Sequence, residues 1–410
     1  MKLPRGLSLL TILPLALASP PSSITSRSLA SGSPISMGWF ADWRVNFTVS
    51  DINWTGYSAM AFFAAQPDDN LNVILTGNNA ESMLVQFVST AHAHNVKALL
   101  TIGGWDGSTY WSSSVATTQN RSTFANNIVQ FAHRYNLDGI DLDWEYPGKP
   151  GMDCNIFSPN DAANYLEFIT ELYQLVVPNL SLSAAVPPYT YTDATNTPIS
   201  GFAEQLDWIE IMAYDIFGSW SKVTGPNAPL NDACSPYRNG SAVSAVAAWT
   251  NVGFSADQIV LGVPSYGRGY FVPPSTAAPN GNQLEIYTPF NAIPQGDPWN
   301  NASPDIAGAC AQSEAPTGSG VFEFWALIGY GYLNSNGSVA PGMLSTFDQC
   351  SQTPFVYNSS TEILISYDDP QSFTAKGQYI AQAGLRGFSL YEVGGDHNGL
   401  LVNAISKAMS

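Results

Sequence analysis

The sequence predicts an α/β chain closed into a (β/α)8 barrel, the TIM-barrel architecture, with a small α+β insertion between the seventh strand and its helix. Three observations carry this. Eight short, β-rich apolar runs recur along the chain, most of them followed by a helical pattern, and that alternation builds a parallel sheet covered by helices. No G-x-G-x-x-G loop is present, so the competing doubly wound sheet lacks its dinucleotide signature. Between Arg268 and Glu362 the alternation stops, and Gly, Pro, Asn and aromatics run on for about ninety residues, too long for a plain loop in a compact domain.

Taken in chain order, residues 1–18 read as a signal peptide. Lys2 and Arg5 precede an apolar run from Leu7 to Ala18 that ends in Ala16-Leu17-Ala18, a small-residue cleavage pattern. The run is shorter than the ~18 apolar residues a membrane helix needs, and no later stretch reaches that length. A secreted chain is therefore expected, and the eight N-x-S/T sequons at Asn46, Asn53, Asn120, Asn179, Asn239, Asn301, Asn336 and Asn358 agree with it. Residues 19–34, rich in Ser and Pro, read as a flexible leader.

The barrel is expected over 35–268 and again over 363–410, with the insertion at 269–362. Its strands are expected at 36–43, 57–66, 96–104, 137–145, 180–188, 206–215, 259–266 and 385–393. Two helices stand out. In 161–177, Tyr165, Ile169, Leu172 and Val176 share one face and Asn160 is placed to cap the start. In 370–384, Pro370 falls at the first turn and Gly384 at the end.

Composition narrows the partners. The chain has 410 residues, 14 Lys+Arg against 32 Asp+Glu, and a formal charge of -18. Such an acidic balance argues against phosphate backbones and anionic lipid. Charged residues make up only 11% and aromatics 12%, which suits a neutral, hydroxyl-rich partner. Cys154, Cys234, Cys310 and Cys350 allow three pairings, between which the sequence does not choose. An oxidising route favours two disulfides. No two cysteines have C-x-x-C spacing, and His92, His94, His133 and His397 lack zinc-ligand spacing.

The chemistry concentrates in LDGIDLDWEYPG, where Asp138, Asp141, Asp143 and Glu145 place four acids in eight residues. On a strand, Asp141, Asp143 and Glu145 point one way and Ile140, Leu142 and Trp144 the other. The apolar set packs on the helices, so the acids enter the barrel. Asp138 has the wrong parity and belongs at a bulge or before the strand. Crowded carboxylates raise one another's pKa, and burial adds to this, leaving one acid protonated near working pH, with a mildly acidic activity optimum expected. That is what protonating a leaving group requires. Glu145, last in the row, falls at the C-terminal mouth, where barrel active sites lie. Asp143 and Glu145 are about 6.7 Å apart along one face. They do not flank a sugar ring as the two carboxyls of an ordinary retaining glycosidase do, so the attacking group would have to come from elsewhere, and a substrate acetamide is the obvious candidate. The competing description of the cluster is an oxygen-rich Ca2+ or Mg2+ site.

DGIDLDWE resembles the D-x-x-D-x-D-x-E signature of family 18 glycoside hydrolases, the chitinase and chitinase-like family. The likeness extends over most of 36–409: TIGGW (Thr101 to Trp105), MAYD (Met212 to Asp215), LGVPSYGR and YDDPQSF (Tyr367 to Phe373) follow in the family's order. The resemblance implies a secreted chitinase that cleaves β-1,4 links between N-acetylglucosamine units with retention, through an oxazolinium intermediate. It implies Glu145 as proton donor and then base, Asp143 holding the acetamide N–H, Asp141 sharing a proton with Asp143, and Asp138 supporting the row structurally. Tyr214 would bond the acetamide oxygen, with Asp215 beside it and Met212 lining the pocket. Trp105 and Trp220 match sugar-stacking positions on the leaving-group side, where an aromatic plane meets a sugar's apolar face. Tyr266 and Arg268 are further cleft residues.

The resemblance, with the proposed layout, also implies disulfides Cys154–Cys234 and Cys310–Cys350. It implies a monomer needing no cofactor or metal, whose partners are chitin or its oligosaccharides rather than nucleic acid or membrane. The last strand departs from the family: Tyr391 stands before Glu392 where Trp is common, so the resemblance makes Tyr391 the substrate-binding floor beneath the sugar being cleaved, and its smaller face puts fine specificity in question. Two other outcomes share the barrel: a non-catalytic chitin-binding lectin, in which Glu145 is usually lost, and an endo-acting enzyme on N-linked glycans.

Overall fold

The computed structural model describes residues 34–77, 79–152, 155–191, 197–281, 283–299 and 318–410. The expected signal peptide and nearly all of the expected leader lie outside these. In chain order the first strands are β1 (Ile35–Ala41), β2 (Ala59–Pro67), β3 (Val73–Leu75), β4 (Lys97–Gly103), β5 (Gly139–Asp143), β6 (Ser181–Val186), β7 (Trp208–Ile211) and β8 (Ile259–Pro264). Strands β9 (Tyr266–Phe271), β10 (Val321–Glu323), β11 (Leu344–Asp348), β12 (Thr353–Asn358), β13 (Ile363–Ser366) and β14 (Gly387–Tyr391) complete the set. Eight of them, β1, β2, β4, β5, β6, β7, β8 and β14, run parallel and close into a barrel through the β1–β14 pairing. β3 is a short antiparallel flap on β2; nothing in the sequence pattern announced it.

Alternation along the strands sorts two apolar sets. Phe40, Phe62, Leu100, Ile140, Leu142, Leu182, Ile209, Leu261 and Phe388 point outward into one core shared with the helices. Met37, Trp39, Leu99, Ala185, Trp208 and Val260 point inward and fill the barrel. The main covering helices are α1 (Ala80–Ala93), α2 (Trp111–Val115), α3 (Thr118–Tyr135), α4 (Asp161–Val176), α5 (Ser200–Gln205) and α6 (Ala242–Asn251). Tyr165, Phe168, Ile169 and Leu172 form the buried face of α4. Asn160 precedes that helix but its side chain makes no capping bond. Asp161, the first helical residue, ties the preceding turn and α2 to the helix start, accepting from the Ser158 amide at 2.7 Å and the Ser112 hydroxyl at 2.7 Å.

The insertion follows β8 almost immediately. Its sheet is antiparallel in the order β10-β9-β13-β12-β11, with short helices α7 (Pro274–Ala277) and α8 (Phe324–Gly329). The first of its strands begins at Tyr266 and the last ends at Ser366, so the sheet takes in a few residues on either side of 269–362. The chain then returns through α9 (Pro370–Ala383), where Asp369 caps the helix, Pro370 fills its first turn and Gly384 ends it at φ 67. β14 and α10 (Leu400–Met409) close the barrel. Among the described residues no helix is long and apolar enough to cross a membrane.

The disulfide pairing inferred from likeness is incorrect. Cys234 bonds Cys350, with Cα atoms 5.9 Å apart. The loop after β7 lies along the insertion: the Leu230 amide donates to Ser351 O at 2.8 Å and the Asn227 amide to Ser366 Oγ at 2.8 Å. Cys234 therefore faces the turn between β11 and β12, where Cys350 sits. Cys154 and Cys310 lie outside the described residues.

Candidate active site

The acid row is placed by its apolar partners. Ile140, Leu142 and Trp144 are buried against the helices, and Trp144 stacks on Trp111 of α2 at 5.5 Å. This fixes the pleat, so Asp141 and Asp143 turn inward and Glu145 follows at the C-terminal mouth. Asp138 precedes β5 at the opposite end. There its Oδ2 accepts from the Ala98 amide at 2.8 Å and meets His92 Nε2 at 2.8 Å. It ties β5 to β4 and α1 and does not join the row.

The TIGG segment lets β4 hug β5 at the mouth. Gly103 has φ +119, and a Cβ there would stand 2.0 Å from the Asp143 carbonyl oxygen, so only glycine fits. The Gly104 amide then donates to that same carbonyl at 2.7 Å. The Glu145 amide donates to Ser108 Oγ at 2.9 Å, and Asn155 Nδ2 donates to the Glu145 carbonyl at 3.2 Å. The backbone under both acids is thereby fixed.

The three carboxyls differ by environment. Asp141 is fully buried, and its Oδ2 accepts from Trp39 Nε1 at 3.0 Å and Thr101 Oγ1 at 2.7 Å while its Oδ1 accepts from Ser183 Oγ at 3.0 Å. Burial raises its pKa and these donors oppose the rise. Asp143 has no such donors, and its Oδ1 is buried without a partner. Burial, then Glu145, then Asp141 hold its pKa well above the carboxylate range. Glu145 is pushed up to about 7, chiefly by burial and further by Asp215 and Asp106, against a hydrogen bond with Tyr146. Like charges this close in a low dielectric share protons, so the row keeps a hydrogen near neutral pH.

Across the mouth, β7 and β9 supply the remaining groups. Tyr214 is buried, its ring stacked on Tyr391 at 6.1 Å and edge-on to Tyr266 at 6.1 Å. Asp215 accepts from both Nε and Nη2 of Arg268 on one oxygen, at 2.8 and 2.6 Å. The Arg268 guanidinium lies 4.9 Å over the Trp220 ring and 5.7 Å from that of Tyr266. Arg268, Asp215, Tyr266 and Trp220 thus form one connected unit. Met212 is buried among the inward-facing residues with Tyr214 and Tyr266. Trp105 and Trp220 are 47% and 60% exposed, Trp220 with the Arg268 guanidinium over its ring, and an exposed aromatic plane can meet an apolar sugar face.

Tyr391 ends β14 among four aromatic rings. Its ring meets Trp39 at 5.9 Å, Phe63 at 5.6 Å, Tyr214 at 6.1 Å and Tyr266 at 6.2 Å. Beyond it, Trp43 continues the aromatic surface edge-on to Phe63 at 5.5 Å.

Sequence reasoning missed the residues that hold the row: Trp39, Thr101, Ser183 and, most of all, Glu210. Glu210 is fully buried on β7 and bonded to Trp208 Nε1. The signal was present, because in LDWIEIMAYD it shares parity with the inward Trp208 and Met212 and is flanked on both sides by apolar residues, Ile209 and Ile211. Among the described residues no group of three or more His, Cys, Asp or Glu is arranged to hold a metal ion.

Comparison with known proteins agrees with this architecture. The family model described as "Glycosyl hydrolases family 18" matches residues 37–396, and the chain belongs to that family. A "chitinase-like effector" of Moniliophthora roreri is 40% identical over 97% of this chain and 98% of its own length. "Chitinase A1" of Niallia circulans is 33% identical over 76% of this chain and 42% of its own length. The crystal structure of a Rhizomucor miehei chitinase superposes with a TM-score of 0.78 at 29% identity, covering 91% of this chain and 99% of that one.

Proposed function

We propose that this chain is a secreted chitinase that hydrolyses β-1,4-linked N-acetylglucosamine polymers with retention. The observation that carries the reading is Glu145, a carboxyl at the barrel mouth held protonated up to about pH 7, with Asp143 and Tyr214 beside it. Glu145 protonates the departing glycosidic oxygen. The substrate's own acetamide oxygen attacks the anomeric carbon, steadied by the Tyr214 hydroxyl. Asp143 holds the acetamide N–H and stabilises the positive charge that develops on the oxazolinium ring. Glu145, now ionised, then takes a proton from the water that opens the ring. Trp105 and Trp220 bind the leaving sugars.

A second reading, a chitin-binding protein without turnover, is favoured by one finding: the 40% identical relative is described as a chitinase-like effector. Against it, the whole acid row is present here. Incubation with soluble chitin oligosaccharides separates the two. Release of shorter oligomers by the wild type, lost in Glu145→Gln, supports the enzyme; binding without release supports the second reading.

A further inference from the structure

Glu210 is a buried acid that the reaction above does not use. It stands on β7 opposite Ala185 of β6 and Val260 of β8 and faces the barrel interior. One oxygen accepts from Trp208 Nε1. Its carboxyl also lies within hydrogen-bonding reach of Asp141 and of Ser183. Two carboxyls in contact inside an apolar barrel cannot both be ionised cheaply, so one proton must lie between them. Asp141 accepts from Trp39, Thr101 and Ser183, and every one of these bonds favours its charged form. Glu210 has fewer donors, and its second oxygen is buried without one.

We propose that Glu210 holds a proton against Asp141 and so keeps Asp141 ionised at the base of the acid row. Anchored as a carboxylate, Asp141 accepts a hydrogen bond from the row's mobile proton without taking it up, so that the proton stays with Asp143 and Glu145 at the mouth, in place of the Asp141–Asp143 sharing that the resemblance implies. Among the described residues the other titratable groups facing this pair are Asp143, which interacts electrostatically with Asp141, and Tyr165 of α4, which interacts with Asp141, Asp143 and Glu210. The consequence for turnover rests on the chitinase reading; the position of the proton does not.

Infrared difference spectra at neutral pH read that proton whether or not the chain turns over. Comparing wild type with Glu210→Gln should remove a protonated-carboxyl band, and comparing it with Asp141→Asn should remove a carboxylate band. If Glu210→Gln removes a carboxylate band instead, the assignment is overturned. Turnover supplies a second readout. Glu210→Gln, whose amide can still donate to Asp141, should stay within about threefold of wild type with an unchanged pH profile. Glu210→Leu should lose about 10- to 100-fold in kcat and show a displaced pH profile. Equal activity in Glu210→Leu, or a loss with an unmoved profile, would reduce Glu210 to a packing role. An inactive wild type would strike the chitinase reading and leave the infrared result to decide Glu210 by itself.

Discussion

Glu145→Gln should make the protein more stable at neutral pH while removing its activity. In the folded chain burial raises the Glu145 carboxyl from its ordinary 4.5 to about 7. Below pH 4.5 the group is neutral in both folded and unfolded states and costs nothing. As pH rises above 4.5 the unfolded chain releases this proton while the folded chain retains it, so the folded state loses ground until the folded carboxyl ionises near 7. At about 1.4 kcal/mol per pH unit, the interval between 4.5 and about 7 amounts to about 3 kcal/mol. Glutamine has similar shape and carries no charge at any pH. Urea unfolding of wild type and variant near pH 4 and near pH 8 should therefore give similar stabilities at the acid end and a gain of about 3 kcal/mol for the variant at the other. A gain of equal size at both pH values, or a less stable variant near pH 8, would refute the assigned burial of a charge-prone carboxyl.

Further outcomes follow from the same geometry. With its acid half-ionised near pH 7, kcat/KM on a soluble oligosaccharide should fall about tenfold per pH unit well above neutrality. Asp215 raises the Glu145 pKa, so Asp215→Asn should move that alkaline limb to lower pH, as pH-rate profiles of the two proteins would record. Tyr214→Phe should cost about 10- to 100-fold in kcat through loss of the one hydrogen bond that positions the acetamide oxygen for attack, with unfolding midpoints nearly unchanged. Cys350→Ser opens a bridge spanning 116 residues of sequence and should cost about 2–5 kcal/mol in chemical unfolding. Non-reducing peptide mapping should recover Cys234 joined to Cys350.

How far the sequence foretold the structure depended on range. The barrel was legible because strand and helix periods alternate locally, and the acid row because a period of two puts Ile140, Leu142 and Trp144 on one side and Asp141 and Asp143 on the other. The arrest at Arg268 marked the insertion. Contacts between distant segments were not legible. The Cys234–Cys350 bridge depends on how the loop after β7 lies on the turn between β11 and β12, which no local pattern encodes. Arg268 belongs to the site because it reaches Asp215, 53 residues away. Glu210 was missed for another reason: its inward parity was readable, but its importance comes from its nearness to Asp141, two strands away on β5.

The most direct test of the account is the anomeric form of the first product released from a chitin tetrasaccharide, followed by proton NMR before mutarotation. Acetamide attack followed by water on the same face predicts the β-anomer from the wild type and no product from Glu145→Gln. An α-anomer, or a Glu145→Gln rate equal to wild type, would contradict it.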